Sequence, residues 1–215
     1  MKAMILAAGR GKRMGKLTEQ IPKPLLKVKG RSLIEHLIIS LKENGFTELV
    51  INTAYKGDQI QAALKSGAQF GVTIQYSDEG GEGLETGGGI FKALPLLGQN
   101  HFLVVNADIW TDYPFKDLRT KTNDLAHLVL VENPEHNATG DFILDKGRVI
   151  EKGAEPKTFT GIGVYHADLF ADETAGFFRL APILRKKILT NNVSGELYTG
   201  QWQDIGTPER LSTIS

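Results

Sequence analysis

Residues 3–14 constrain this chain more than any other stretch. Ala3-Met4-Ile5-Leu6 is an unbroken apolar run of the kind that forms a strand buried on both faces. It leads into Ala7-Ala8-Gly9-Arg10-Gly11-Lys12-Arg13-Met14. There Gly9 and Gly11 permit a positive φ and close approach of a ligand to the backbone, and Arg10, Lys12 and Arg13 add positive charge. Pro22-Lys23-Pro24 follows, a lysine mounted between two residues of fixed φ. A glycine loop with clustered cations and one rigidly mounted lysine makes a receptacle for a polyphosphate. Met14 stands where the dinucleotide fingerprint would need its third glycine, and no Gly-Lys-Ser/Thr follows, so neither that fingerprint nor a Walker A loop is present. Taken alone, the loop reads equally well as a Gly-rich strand-to-helix turn with solvated cations.

The chain then alternates. Leu25–Val28 reads as a short extended piece and Lys29-Gly30 as a turn. Ser32 with Glu35 makes a capping box before apolar positions 33, 34, 37, 38 and 41, which predicts a helix that ends at Gly45. Glu48–Asn52 is a second buried strand. Gly57-Asp58 opens a helix with Ile60 and Leu64 on one face, and 72–76 alternates as a strand. The polar, glycine-heavy stretch 77–89 precedes a helix over 90–94. Phe102–Val105 is a central-type strand that stops at Asn106-Ala107-Asp108. A helical turn over 115–118 and a strand over 126–131 follow. Such alternation over 1–131 predicts an α/β fold, a parallel sheet with helices on both faces, with a mixed later half. In such sheets ligands bind beyond the carboxyl ends of the strands. The polar exits after Leu6, Ile51 and Val105 therefore converge on one edge.

Beyond 131 the pattern changes. Asp145-Lys146-Gly147 between two apolar runs signals a hairpin. Residues 159–165 read as a strand with glycines where a ligand could approach. Residues 177–189 read as an amphipathic helix with Pro182 awkwardly inside it, 201–206 as a last strand, and Thr207-Pro208-Glu209 as the start of a short helix with Pro at its first position. No linker or repeat interrupts 1–215. The expectation is one domain over 1–215, its pattern changing at about 131/132.

Composition excludes several classes. Lys plus Arg and Asp plus Glu balance at 25 each, so bulk charge does not support a general nucleic-acid binder. With no cysteine there is no disulfide, thiol nucleophile or thiolate metal site. No apolar run is long enough to span a bilayer and no cleavable signal precedes residue 3, so the expectation is a cytoplasmic protein with no nucleic-acid, membrane or protein partner implied. The five histidines lack metal-type spacing, and Ser194-Gly195-Glu196 is not a nucleophile elbow. Asp108 sits after an apolar strand, and Asp204 closes a strand nearly a hundred residues later. Delivered to one site, they could hold a hard cation such as Mg²⁺, which takes few carboxylates plus phosphate and water oxygens. Each could equally cap a helix or a strand end.

Four segments in order, Leu6-Ala7-Ala8-Gly9-x-Gly11-x-Arg13-Met14, Pro22-Lys23-Pro24, Asn106-Ala107-Asp108 and Trp202-x-Asp204-Ile205-Gly206-Thr207-Pro208, resemble the sugar-1-phosphate nucleotidyltransferases. The resemblance implies a Rossmann-like fold, a mixed, mainly parallel sheet with helices on both faces, and a reaction of NTP with a sugar 1-phosphate to give NDP-sugar and pyrophosphate, with Mg²⁺ as cofactor. It implies Arg13 and Lys23 as catalytic residues. Leu6, Ala8, Gly9, Gly11, Lys12, Arg13, Lys23, Glu85 and Gly87 would hold the nucleotide. Asn106, Gly140, Glu151 and Thr160 would meet the sugar phosphate, and Asp108 and Asp204 the metal. Leu84–Ile90, Asn133-Pro134-x-His136-Asn137, Gly140-Asp141-Phe142, Phe159-x-Gly161-Ile162 and Val193–Glu196 resemble the small bacterial members that use UTP and N-acetylmuramic acid 1-phosphate in peptidoglycan recycling. Guanylyl transfer to mannose 1-phosphate, uridylyl or thymidylyl transfer to glucose 1-phosphate, cytidylyl transfer to a small alcohol phosphate, and a non-catalytic nucleotide-sugar sensor are the alternatives. Ala107 departs from the glycine common at the centre of the metal motif. The chain ends soon after Asp204, which implies no β-helix acyltransferase domain.

Overall fold

The computed structural model describes residues 1–81, 83–153 and 155–214. Among them the strands, in chain order, are β1 (Ala3–Leu6), β2 (Lys27–Val28), β3 (Arg31–Ser32), β4 (Glu48–Thr53), β5 (Thr73–Asp78), β6 (Phe102–Asn106), β7 (Ile109–Thr111), β8 (Ala126–Val131), β9 (Ile143–Asp145), β10 (Arg148–Ile150), β11 (Thr158–Tyr165), β12 (Val193–Leu197) and β13 (Trp202–Asp204). The α-helices are α1 (Leu17–Gln20), α2 (Leu33–Glu43), α3 (Gly57–Leu64), α4 (Glu85–Leu97), α5 (Leu180–Leu189) and α6 (Pro208–Ser212).

One mixed sheet runs in the order β5-β4-β1-β6-β11-β8-β12-β10-β9. β5, β4, β1 and β6 are mutually parallel, β11 is antiparallel to both its neighbours, and β12 is parallel to β8. Successive strand residues point to opposite faces, so the all-apolar strands need cover on both sides. Ala3 and Ile5, Leu49 and Ile51, and Leu103 and Val105 pack with the apolar faces of α2 and α3. Met4, Val50, Phe102 and Val104 pack with α4 and α5. The helix-on-both-faces expectation is thereby met. β1 is the hinge of the topology. The chain lays β4 and β5 on one side of it and then returns to place β6 on the other. Crevices for ligands form at the carboxyl ends where the strand order reverses in this way. Leu6 pairs in register with both Asn52 and Asn106, so the three exits are level.

Local chemistry accounts for the ends of these elements. Ser32 Oγ accepts from Glu35 N and the Glu35 carboxylate accepts from Ser32 N at 2.7 Å, completing the capping box of α2. Lys146 and Gly147, at φ 46° and 79°, turn β9 into β10 as a two-residue hairpin requires.

Four boundaries differ from the sequence expectation. Helix α4 begins at Glu85 and contains Gly87, Gly88 and Gly89, because the helix packs too closely for side chains there. A methyl group at 87 would lie 2.6 Å from the Phe178 ring, and one at 88 would overlap the Gly176 carbonyl oxygen. Helix α5 begins at Leu180, which puts Pro182 in the first turn, where its missing N–H costs nothing. Residues 23–25 form one 3₁₀ turn, so only Lys27–Val28 of the piece read as extended is strand. The short strand β7 pairs with β13 in a separate ribbon that no periodicity announced.

Candidate active site

At the carboxyl ends of β1, β4 and β6 lies a cleft of about 460 Å³. Its floor is the glycine loop. Gly11 takes φ 63°, and a side chain there would press on Lys23 and Thr18. Thr18 Oγ1 donates to the Gly11 carbonyl at 3.1 Å, and buried Met14 anchors the turn over Lys12–Met14. Lys12 and Arg13 are thus left outward at the cleft, and among the described residues neither pairs with a carboxylate. Arg10 lies 5.3 Å over the Tyr55 ring. Leu6, Ala8, Gly9, Gly11, Lys12, Arg13, Lys23, Glu85, Asn106 and Asp108 all line this one cleft.

Lys23 is almost wholly buried, with its backbone entering from Pro22 at φ −64°, and its ammonium forms an ion pair with Asp108. Asp108 sits in the turn between β6 and β7. That turn is held by Ala107 N donating to Leu6 O at 3.0 Å, and by Asp108 O accepting from Ile205 N at 2.7 Å. The second bond brings the β13 end alongside it, since Asp204 pairs with Ile109. Asp204 stands just behind the cleft wall. Its Oδ1 receives Arg210 and lies 2.7 Å from His136 Nε2, while its Oδ2 lies against Gly206, which does line the cleft. Two carboxylates at adjacent strand ends, one with an oxygen toward the cleft, suit a hard cation that completes its shell with phosphate and water oxygens. Among the described residues no three His, Asp or Glu side chains converge as a metal cage.

The other sequence candidates lie elsewhere. Gly87 is buried in α4 against Phe178. Gly140 turns at φ 63° under Pro156, and Glu151 lies 3.4 Å from Arg185 on the surface. The Thr160 hydroxyl points into the sheet, donating to Val129 O at 2.7 Å and accepting from Ile162 N at 3.1 Å. It stands at the β11 bulge, where Gly161 makes room for the Asn106 amide. Asn52, Glu79, Thr86 and Phe177 also line the cleft and were not singled out from sequence. Asn52 was legible as a strand exit. Phe177, 67% exposed, carries no local signal that separates it from a core aromatic.

Comparison with known proteins gives consistent likenesses. The family model described as nucleotidyl transferase matches residues 2–215. The chain is 50% identical to an N-acetylmuramate alpha-1-phosphate uridylyltransferase of Neisseria meningitidis, over 98% of this chain and 95% of that one. It is 33% identical to the protein of the same name from Caulobacter vibrioides, over 96% and 92%. Among solved structures, HddC from Yersinia pseudotuberculosis complexed with GMP-PN superposes with a TM-score of 0.82 at 22% identity, over 99% of this chain and 97% of that one. This is a likeness of fold.

Proposed function

Because the chain belongs to the nucleotidyl transferase family, we propose that it joins UTP and N-acetylmuramic acid 1-phosphate into UDP-N-acetylmuramic acid, releasing pyrophosphate. The observation that carries this reading is the Lys23–Asp108 pair, set where the strand order reverses and facing the Gly9–Arg13 loop across one cleft. The identity to the Neisseria and Caulobacter enzymes supports the choice of uridylyl donor and acidic amino-sugar acceptor.

In this reading a phosphate oxygen of the sugar 1-phosphate attacks the α-phosphorus in line. The bond from that phosphorus to the β-phosphate bridging oxygen breaks. Such a transfer needs positioning and charge neutralisation rather than a protein nucleophile. Lys12 and Arg13 hold the triphosphate, with Arg13 on the departing pyrophosphate. Lys23 turns from Asp108 to the α-phosphate, where negative charge grows in the transition state. Leu6, Ala8, Gly9 and Glu85 frame the nucleoside, and Gly87 permits the close packing of α4 behind it. Asn106 meets the sugar phosphate directly, while Thr160 holds the bulge under it and Gly140 and Glu151 belong to the sugar half. Asp108 and Asp204 would hold Mg²⁺, which when bound neutralises phosphate charge and orients the reacting oxygens. We assign the chain one catalytic domain, with 1–131 serving the nucleotide and 132–215 the sugar, and a cytoplasmic place in peptidoglycan recycling. Among the described residues no helix is long and apolar enough to cross a membrane.

The test is pyrophosphate release with Mg²⁺, crossing four NTPs with a panel of sugar 1-phosphates. Selective turnover of UTP with N-acetylmuramic acid 1-phosphate is the expected result. Turnover of GTP with mannose 1-phosphate, or of UTP or dTTP with glucose 1-phosphate, would reassign the substrates. Nucleotide binding without turnover of any pair would favour a sensor.

A further inference from the structure

Glu79 follows directly on β5 and is 9% exposed, yet its carboxylate belongs to the cleft wall. Its Oε1 accepts from Asn52 Nδ2 at 2.5 Å and its Oε2 from Leu84 N at 2.7 Å. Asn52, 3% exposed at the end of β4, in turn accepts from Ala7 N at 2.8 Å. The direction of every bond is thereby determined. Ala7 N–H donates to Asn52, Asn52 donates to Glu79, and Leu84 N–H donates to Glu79. A carboxylate that accepts two such bonds makes them stronger than neutral ones. Two buried side chains so tie the start of the glycine loop to the segment that enters α4. Gly89 makes room for them, because a methyl group there would overlap Glu79 Oε1 and approach Asn52 Nδ2 to 3.0 Å.

Charge divides the cleft between its two ends. Lys12, Arg13 and Lys23, the last paired with Asp108, lie by the ends of β1 and β6, whereas the Glu79 and Glu85 carboxylates lie by the end of β5 and the start of α4, with Arg10 turned onto the Tyr55 ring. A triphosphate is attracted to the first and repelled by the second. The nucleoside end therefore faces Glu79.

We propose that Glu79 is a positioning residue for the nucleotide. Through Asn52 and Leu84 it sets the gap between Ala7–Gly9 and Gly83–Thr86 into which the nucleoside end fits. This inference rests on the nucleotidyl-transfer reading.

Calorimetric affinity for UTP, measured without sugar phosphate, tests it alongside the KM of each substrate. Glu79→Gln keeps the shape but turns an amide NH₂ toward Leu84 N or Asn52 Nδ2, donor against donor. It should weaken UTP at least tenfold, raise the KM for UTP in step, and leave the KM for the sugar 1-phosphate within twofold. Adding Asn52→Asp restores the order of donors and acceptors at unchanged net charge. The carboxylate then at position 52 would accept from Ala7 N and from the amide NH₂ at position 79, and the amide oxygen at 79 would accept from Leu84 N. The double variant should return to within threefold of wild-type UTP affinity. Unchanged UTP affinity in Glu79→Gln, equal loss for both substrates, or no recovery in the double variant would overturn the proposal. If Glu79→Gln fails to fold by circular dichroism, the double variant decides alone, near-native UTP affinity supporting the relay and a tenfold loss sinking it. Wild-type protein that binds UTP but turns over no sugar 1-phosphate defeats the functional reading and leaves the relay to the binding data. Wild-type protein that binds none of four NTPs defeats the relay itself.

Discussion

The Lys23 ammonium closes on the Asp108 carboxylate across 85 positions of sequence. Each group satisfies the other in a partly buried place where an unpaired charge would be costly. Each is also what a nucleoside triphosphate and its cation would claim, the ammonium for phosphate and the carboxylate for the metal. The pair therefore holds two groups of the proposed chemistry side by side at the cleft.

Asp108→Asn retains the shape and one acceptor for Lys23 but removes the charge. Turnover should fall on the order of a hundredfold or more, with the fold intact by circular dichroism. Near-native Mg²⁺-dependent turnover in this variant would remove Asp108 from the metal site.

Lys23→Ala removes a charge that serves the transition state more than the bound substrate. We expect kcat to drop roughly 10²–10³-fold with a much smaller rise in KM for UTP. A defect confined to KM would assign Lys23 to ground-state binding alone.

Glycines 88 and 9 should respond oppositely to Ala. At 88 the new methyl group would overlap the Gly176 carbonyl oxygen, a backbone atom that cannot step aside. Gly88→Ala should cost about 1–3 kcal/mol, read as a lowered melting temperature. At 9 nothing lies within 4 Å and φ is not positive, so Gly9→Ala should melt like wild type and show its effect, if any, on UTP affinity. Equal melting temperatures for the two variants would contradict the packing argument.

Away from the cleft, the Glu196 carboxylate is held at about 2, below its ordinary 4.5, by His127 first and by Tyr113 and Lys121, against the opposing effect of burial. His127 Nε2 lies 3.2 Å and Lys121 Nζ 3.0 Å from its Oε2. A carboxylate whose folded value lies below its unfolded one adds stability that is complete above about pH 4.5. That stability is lost as pH falls toward 2. Glu196→Gln should therefore be less stable than wild type near neutral pH and converge with it in acid, as followed by urea unfolding from pH 6 to 2.5. A stability gap that stays constant over that range would refute the linkage.

How much of this was legible can be judged residue by residue. The capping box of Ser32 and Glu35, the apolar stripe of α2, the hairpin at Lys146-Gly147 and the polar residue that ends each of β4 and β6 all follow from chemistry within a few residues of each position. The same is true of the glycine loop and of Lys23 between its prolines. Glycines 87–89 misled the helix boundary, because a helix tolerates glycine when a neighbour presses on its face, and Phe178 and Gly176 are distant in sequence.

By itself, then, the sequence determined an alternating sheet and a cationic loop after its first strand, because caps, turns and burial patterns are set by near neighbours. Tertiary structure alone decided which way strand-end side chains face. It turned Thr160 into the sheet, set Asp204 behind Gly206 with Arg210 and His136 on one oxygen, and joined Ala7 to Leu84 through Asn52 and Glu79. Those outcomes depend on strand register and on packing between elements, and a one-residue change of register in β11 would turn Thr160 to the other face of the sheet.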